Sequence, residues 1–176
     1  MFHLKESRVA RTLKDTRAKM GRSQEQLSMD FFQSRESLSK QENGERRVQP
    51  GISRRFIEKY NDPWIALEAA NEYIGWGITR LDGPAVDNHR SSVYLKLGEE
   101  MEEALEAMKK VKLMNQPQFI QSFELQDIER SAQEFADVIH ASTIYLATLC
   151  QTYNLSWLDI WEHHQTKLKS RGYVMA

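Results

Sequence analysis

Between Arg22 and Gly44 the chain carries two helix-start signals eleven residues apart, and this pair constrains the fold more than any other feature. Ser23 offers a side-chain oxygen to the free N–H groups of a first helical turn, and Gln26, three residues on, completes a capping box. Ser34 offers the same service to a second helix. Leu27 and Leu38 stand eleven residues apart, about three helical turns, so both can face one core. Asn43-Gly44 then supplies the residue types that best tolerate a left-handed helix end. Two short helices joined by a tight turn, the second polar outside, are what a helix-turn-helix needs to lay a recognition helix in a major groove.

The runs Ser23-Gln24-Glu25-Gln26-Leu27, Ser34-Arg35-Glu36-Ser37-Leu38-Ser39-Lys40 and Glu42-Asn43-Gly44-Glu45-Arg46 resemble the lambda-repressor-like, Xre-type helix-turn-helix family. The resemblance covers roughly residues 7–73, with a preceding helix carrying Val9, Leu13 and Met20. It implies a phage-repressor-like transcriptional regulator that binds double-stranded DNA sequence-specifically. On that likeness Arg35 and Glu36 occupy positions that reach base edges, and Ser34, Ser39 and Lys40 share their outer face. Gln24 heads the first motif helix, where members touch the phosphate backbone; Asn43, Arg46 and Arg47 follow the recognition helix as further phosphate contacts. Members generally bind paired half-sites, which implies a homodimer. Where members usually carry a small turn residue, this chain has Phe31-Phe32, a bulky pair expected to pack against something.

Charge divides along the chain. Residues 1–60 hold 14 Lys/Arg and 8 Asp/Glu, whereas residues 61–176 hold 10 and 17. A basic head on an acidic body is the footprint expected when only the head meets a polyanion. Cys150 is the only cysteine and lies in an apolar run, so a buried thiol is expected and an intrachain disulfide is excluded. No apolar run approaches the ~20 residues needed to span a bilayer, and no signal-peptide core is visible. These readings place the protein in the cytoplasm, away from membranes.

The expected fold class is all-α: an N-terminal helix-turn-helix domain of four to five helices over 1–76, a linker over 77–90, and a helical bundle over 91–176. Pro63 suits the first turn of a helix carrying Trp64, Leu67, Ala70, Tyr73 and Ile74, which Gly75-Trp76-Gly77 ends. Asp82-Gly83-Pro84 and Asp87-Asn88 are turn signals within the linker. Further helices are expected over about 91–114, 124–153 and 156–170, and no segment alternates long enough to argue a sheet.

A second constellation is acidic. Glu100 and Glu103 share one helix face, as do Glu134 and Asp137, and antiparallel packing would converge four carboxylates. Crowded like charges need cations, and hard oxygen donors suit Mg²⁺ or Mn²⁺. The pattern Glu99-Glu100-x-x-Glu103 with Glu134-x-x-Asp137 resembles the MazG-like, all-α nucleotide pyrophosphohydrolases over about residues 90–174. That likeness implies a nucleotide ligand, a Mg²⁺ site on those four residues, and an alternative function as a triphosphate-hydrolysing enzyme with a DNA-binding head. Lys96, Lys112, Lys167, Lys169 and Arg171 are the cations available for phosphate. In the regulator reading, the acidic half dimerises the protein through Ile144, Leu146, Leu149, Trp157 and Trp161, and senses a ligand. His163 and His164 point about 100° apart on a helix and do not share an ion.

Overall fold

The computed structural model describes residues 7–75, 77–113 and 116–175, in which eight α-helices and one 3₁₀ turn form and no strand does. Trp76 in the expected Gly75–Gly77 break, Met114 at the expected end of the first long helix, and residues 1–6 lie outside the described residues. The chain divides into two compact units: one holds the chain up to Arg80 and again from Asn154 on, the other Leu81–Tyr153. Among the described residues no helix is long and apolar enough to cross a membrane.

In the first unit, α1 (Arg8–Lys19), α2 (Gln24–Asp30), α3 (Arg35–Glu42), α4 (Pro50–Tyr60) and α5 (Pro63–Ile74) close around one core. Val9, Leu13, Leu27, Leu38, Val48, Phe56 and Ile65 are completely buried there. Both expected caps form: Ser23 Oγ accepts from the Gln26 N–H in a full capping box, and Ser34 Oγ accepts from the Ser37 N–H. At the end of α3 only Gly44 turns left-handed (φ +72°), while Asn43 stays near helical values.

α8 (Trp157–Ser170) groups with this unit and not with the C-terminal bundle expected from its sequence position. The reason is Asn61, the left-handed cap of α4. Its side-chain amide donates to Leu155 O at 2.8 Å and accepts the Trp157 N–H at 2.8 Å, and Trp157 is buried. The expected linker also begins later than residue 77. Buried Glu68 takes a two-pronged ion pair from Arg8 (2.9 and 3.0 Å) and the Arg80 N–H at 3.1 Å, while Asn71 holds Gly77 and Thr79. With these boundaries the first unit carries 18 Lys/Arg against 13 Asp/Glu, and the second 6 against 12.

The second unit is a helical hairpin of α6 (Arg90–Lys110) and α7 (Ser122–Tyr153), with a 3₁₀ turn at Pro117–Phe119 in the connection. The helices run antiparallel: Tyr94 meets Tyr145, and further along α6 the Glu103–Ala107 segment lies beside Arg130 and Glu134. Small side chains dominate the seam between them, with Ala104, Ala107 and Ser131 buried.

Candidate functional site

A buried clamp sets the attitude of α3, and a more exposed one ties α2 to α4. Arg17 of α1 forms an ion pair with Glu42 at the end of α3 (Nε–Oε1 2.5 Å, Nη2–Oε2 2.9 Å), and the Glu42 side chain is completely buried. Gln24 donates its amide to the same carboxylate at 2.9 Å, and Arg17 also donates to Arg22 O, so three helices meet at one anion. On the other side Asp30 of α2 accepts from Lys59 at 2.5 Å and from the Tyr60 hydroxyl of α4. Those two donors, Lys59 first, hold the Asp30 carboxyl below its usual range. Burial, and then the hydrogen bond to Asp30, push Tyr60 up to about 12. Sequence reasoning misses the roles of Arg17 and Glu42, because a pair 25 positions apart leaves no local signal.

Held this way, α3 buries Leu38, Gln41 and Glu42 and turns Arg35, Glu36 and Lys40 to solvent. Arg35 is fully available, with no hydrogen bond or ion pair to the described residues. Lys40 and Glu36 pair across one turn at 2.7 Å, which lowers the Glu36 carboxyl and raises the Lys40 ammonium from their ordinary values. An exposed pair of this kind contributes little to stability, so both groups exchange partners easily. Ser39 is half-buried and Asn43 exposed on the following turn.

The remaining expected contacts are less free. The Ser34 hydroxyl is the cap of α3, and the Gln24 amide N–H is committed to Glu42. Arg46 folds back over α3, its backbone N–H on Lys40 O and its guanidinium 3.4 Å from Ser37 Oγ. Arg47 is drawn to α5 instead, donating to Glu72 O at 3.0 Å and stacking over Tyr73. The aromatic pair in the turn divides its labour. Phe31 is buried against Phe56 and Tyr60, whereas Phe32 is 90% exposed in a left-handed conformation (φ +54°) under the Arg55 guanidinium.

In the hairpin, Glu100, Glu134 and Asp137 bring carboxylate oxygens within 4.8 Å of one another. Glu103 is not in that group; it lies on an exposed cleft shared with Glu102, Arg130 and Glu134. Two cations already attend the group, Lys96 at 2.9 Å from Glu100 and Arg130 at 3.5 Å from Glu134. Hydrogen bonds to Glu99 and then Glu100 hold the Lys96 ammonium well above its usual value. Beside the carboxylates opens a cleft of about 220 Å³, with Leu81, Val86, Val93 and Ile144 as apolar lining and Lys96 and His140 as polar lining. His140 Nε2 is buried there without a hydrogen-bond partner among the described residues. Lys167, Lys169 and Arg171 belong to the first unit. Cys150 is buried, and burial raises its thiol.

No protein-family profile, curated protein or solved structure matches this chain.

Proposed function

We propose that this protein is a sequence-specific DNA-binding transcriptional regulator that works as a dimer. The observation that carries the reading is α3 itself: a helix locked from below by the buried Arg17–Glu42 pair, presenting unpaired Arg35 beside Glu36 and Lys40. Arg reads guanine through two hydrogen bonds, and Glu accepts from cytosine, at about 1–3 kcal/mol of discrimination per good contact. Lys40 and Arg46, and Asn43 between them, suit the flanking phosphates. Basic charge concentrated in the unit that carries α3 supports the same reading.

Selection from a random duplex library tests it. The protein should enrich a site with two half-sites roughly one DNA turn apart. Arg35→Ala should then weaken that site about 10- to 100-fold more than random duplex. Equal loss on both, or no enriched site, would overturn the reading. Arg46→Ala should weaken both alike and flatten the salt slope by about 1.

The carboxylate group favours a second role in the same protein, Mg²⁺-dependent binding of a nucleotide effector. Three converging carboxylates fit a hard cation, and the adjoining cleft has an apolar floor, a lysine and a histidine nitrogen in need of a partner. Glu100, Glu134 and Asp137 would hold the ion, with Lys96 and Arg130 swinging aside toward phosphate. Calorimetry of the full chain with Mg²⁺ and a nucleotide panel should give heat that Asp137→Asn removes. Silence across the panel would leave these groups as a solvated acidic face.

A further inference from the structure

The hairpin leaves its largest apolar side chains outside. Along α6 the row packed toward α7 runs Val93, Leu97, Glu100, Ala104, Ala107, and each next residue forms a second row: Tyr94, Gly98, Met101, Leu105, Met108. Along α7 the row toward α6 includes Ser131, Glu134, Val138, Ala141 and Tyr145, and the next-residue row carries Leu125, Ile128, Phe135, Ile139, Leu146 and Leu149. Ala132 and Ser142 fill its two skipped positions, so no charge interrupts it. Steps of three and four are the spacing of a coiled-coil seam. Because the helices are antiparallel, a turn of one residue from the shared contact brings both second rows to the same side of the hairpin. Asp137 and the cleft it lines with Ser92, Lys96 and His140 take the opposite side.

We infer that this face pairs with the same face of a second copy of the chain, making a four-helix bundle from two hairpins. The inference specifies the dimer invoked above and stands apart from DNA recognition. Tyr94, Met101, Leu105, Met108, Leu125, Phe135 and Ile139 are each 39–61% exposed. Side chains of this size and exposure each offer on the order of 100 Å², so the face presents about 700 Å² per copy. A standard stable interface buries roughly 800 Å² per partner. The face is also self-complementary, as a two-fold interface requires. Gly98 lies in an open cleft with Tyr94, Met101 and Tyr145, so mid-helix α6 offers a hole, while Phe135 and Ile139 on α7 offer knobs. Glycine inside a helix is less favourable than alanine, a cost that close helix approach in the bundle offsets. Of the pairing residues expected from sequence, Leu146 and Leu149 lie on this face. Ile144 and Trp157 are instead buried within their own units.

Sedimentation velocity without DNA or nucleotide tests the pairing. At about 50 μM the full chain should sediment at twice its 20.6 kDa mass. Ile139→Asp should weaken self-association by about 30-fold or more. Gly98→Leu is the complementary variant: it fills the hole, so it should also yield monomer while leaving the monomer's helix content equal or higher. A wild-type monomer at that concentration would overturn the inference, as would a dimer indifferent to both substitutions. Loss of dimer with selective DNA binding retained would separate this inference from the regulator reading.

Discussion

The two units use the same secondary structure in opposite ways. The head wraps five helices of 7–12 residues around Leu13, Leu27, Leu38, Phe56 and Ile65, none of which touches solvent. The hairpin has helices of 21 and 32 residues, yet it buries mainly alanine, serine, threonine and cysteine and leaves Tyr94, Met101, Leu105 and Phe135 in water. Helix length therefore says little about who completes a core. Short helices at varied angles can enclose large side chains, whereas two long antiparallel helices share one seam and leave a second face open.

The sharpest way to break this contrast is to remove one large side chain from each unit. Phe56→Ala should cost about 3–5 kcal/mol of stability by denaturant titration, independent of protein concentration, because its cavity is internal. Leu105→Ala should lie within about 0.5 kcal/mol of wild type in dilute solution, and its cost should grow as concentration rises and copies pair. Concentration-independent loss in both would mean the hairpin closes its own core after all.

Charged pairs give a second contrast, somewhat smaller. Glu42→Ala strands Arg17, and breaking a buried pair of this kind costs about 3–5 kcal/mol at most. Arg17→Met combined with Glu42→Leu should recover most of that loss, since neither charge is then left alone. In the hairpin, Lys96 is 57% exposed where it meets Glu100, so Lys96→Met should change stability by no more than about 1 kcal/mol. If the double variant regains stability but not selective DNA binding, the clamp's main role is to aim α3.

What could be read from sequence follows the range of the interactions. The caps at Ser23 and Ser34, the shared face of Leu27 and Leu38, the Pro63 start and the long α7 are local, and each formed as expected, while α6 formed but ends at Lys110, short of the expected 114. The Arg17–Glu42 clamp and the attachment of α8 through Asn61 join residues 25 and 96 positions apart, so no periodicity or cap signals them. At the acidic site, helical spacing rightly suggested convergence of Glu100, Glu134 and Asp137, but it could not tell that Glu103 turns to the outer cleft. The exposed seam was present as a three-four repeat, yet repeat alone does not separate a row facing the partner helix from the row beside it.

The mildest test concerns the turn between α2 and α3, where the head breaks its own economy of burial. Phe32 sits at φ +54° and 90% exposed, a conformation that suits glycine better. The left-handed backbone costs about 1–2 kcal/mol for a residue with a Cβ. Glycine would relieve that strain but lose about 0.5–1 kcal/mol through the greater freedom of its unfolded chain. Phe32→Gly should therefore leave the head equal to wild type or up to about 1 kcal/mol more stable in denaturant titration. The ring contact at stake among the described residues is Arg55 over the ring at 5.9 Å, an exposed cation–π arrangement worth about 0.5–1 kcal/mol. A loss beyond about 1 kcal/mol would mean that the ring holds the turn through Arg55, whose guanidinium also donates to Phe31 O at 3.3 Å. In that case Arg55→Ala should reproduce the loss, and Phe32 would join Glu42 among the residues that fix the angle of α3.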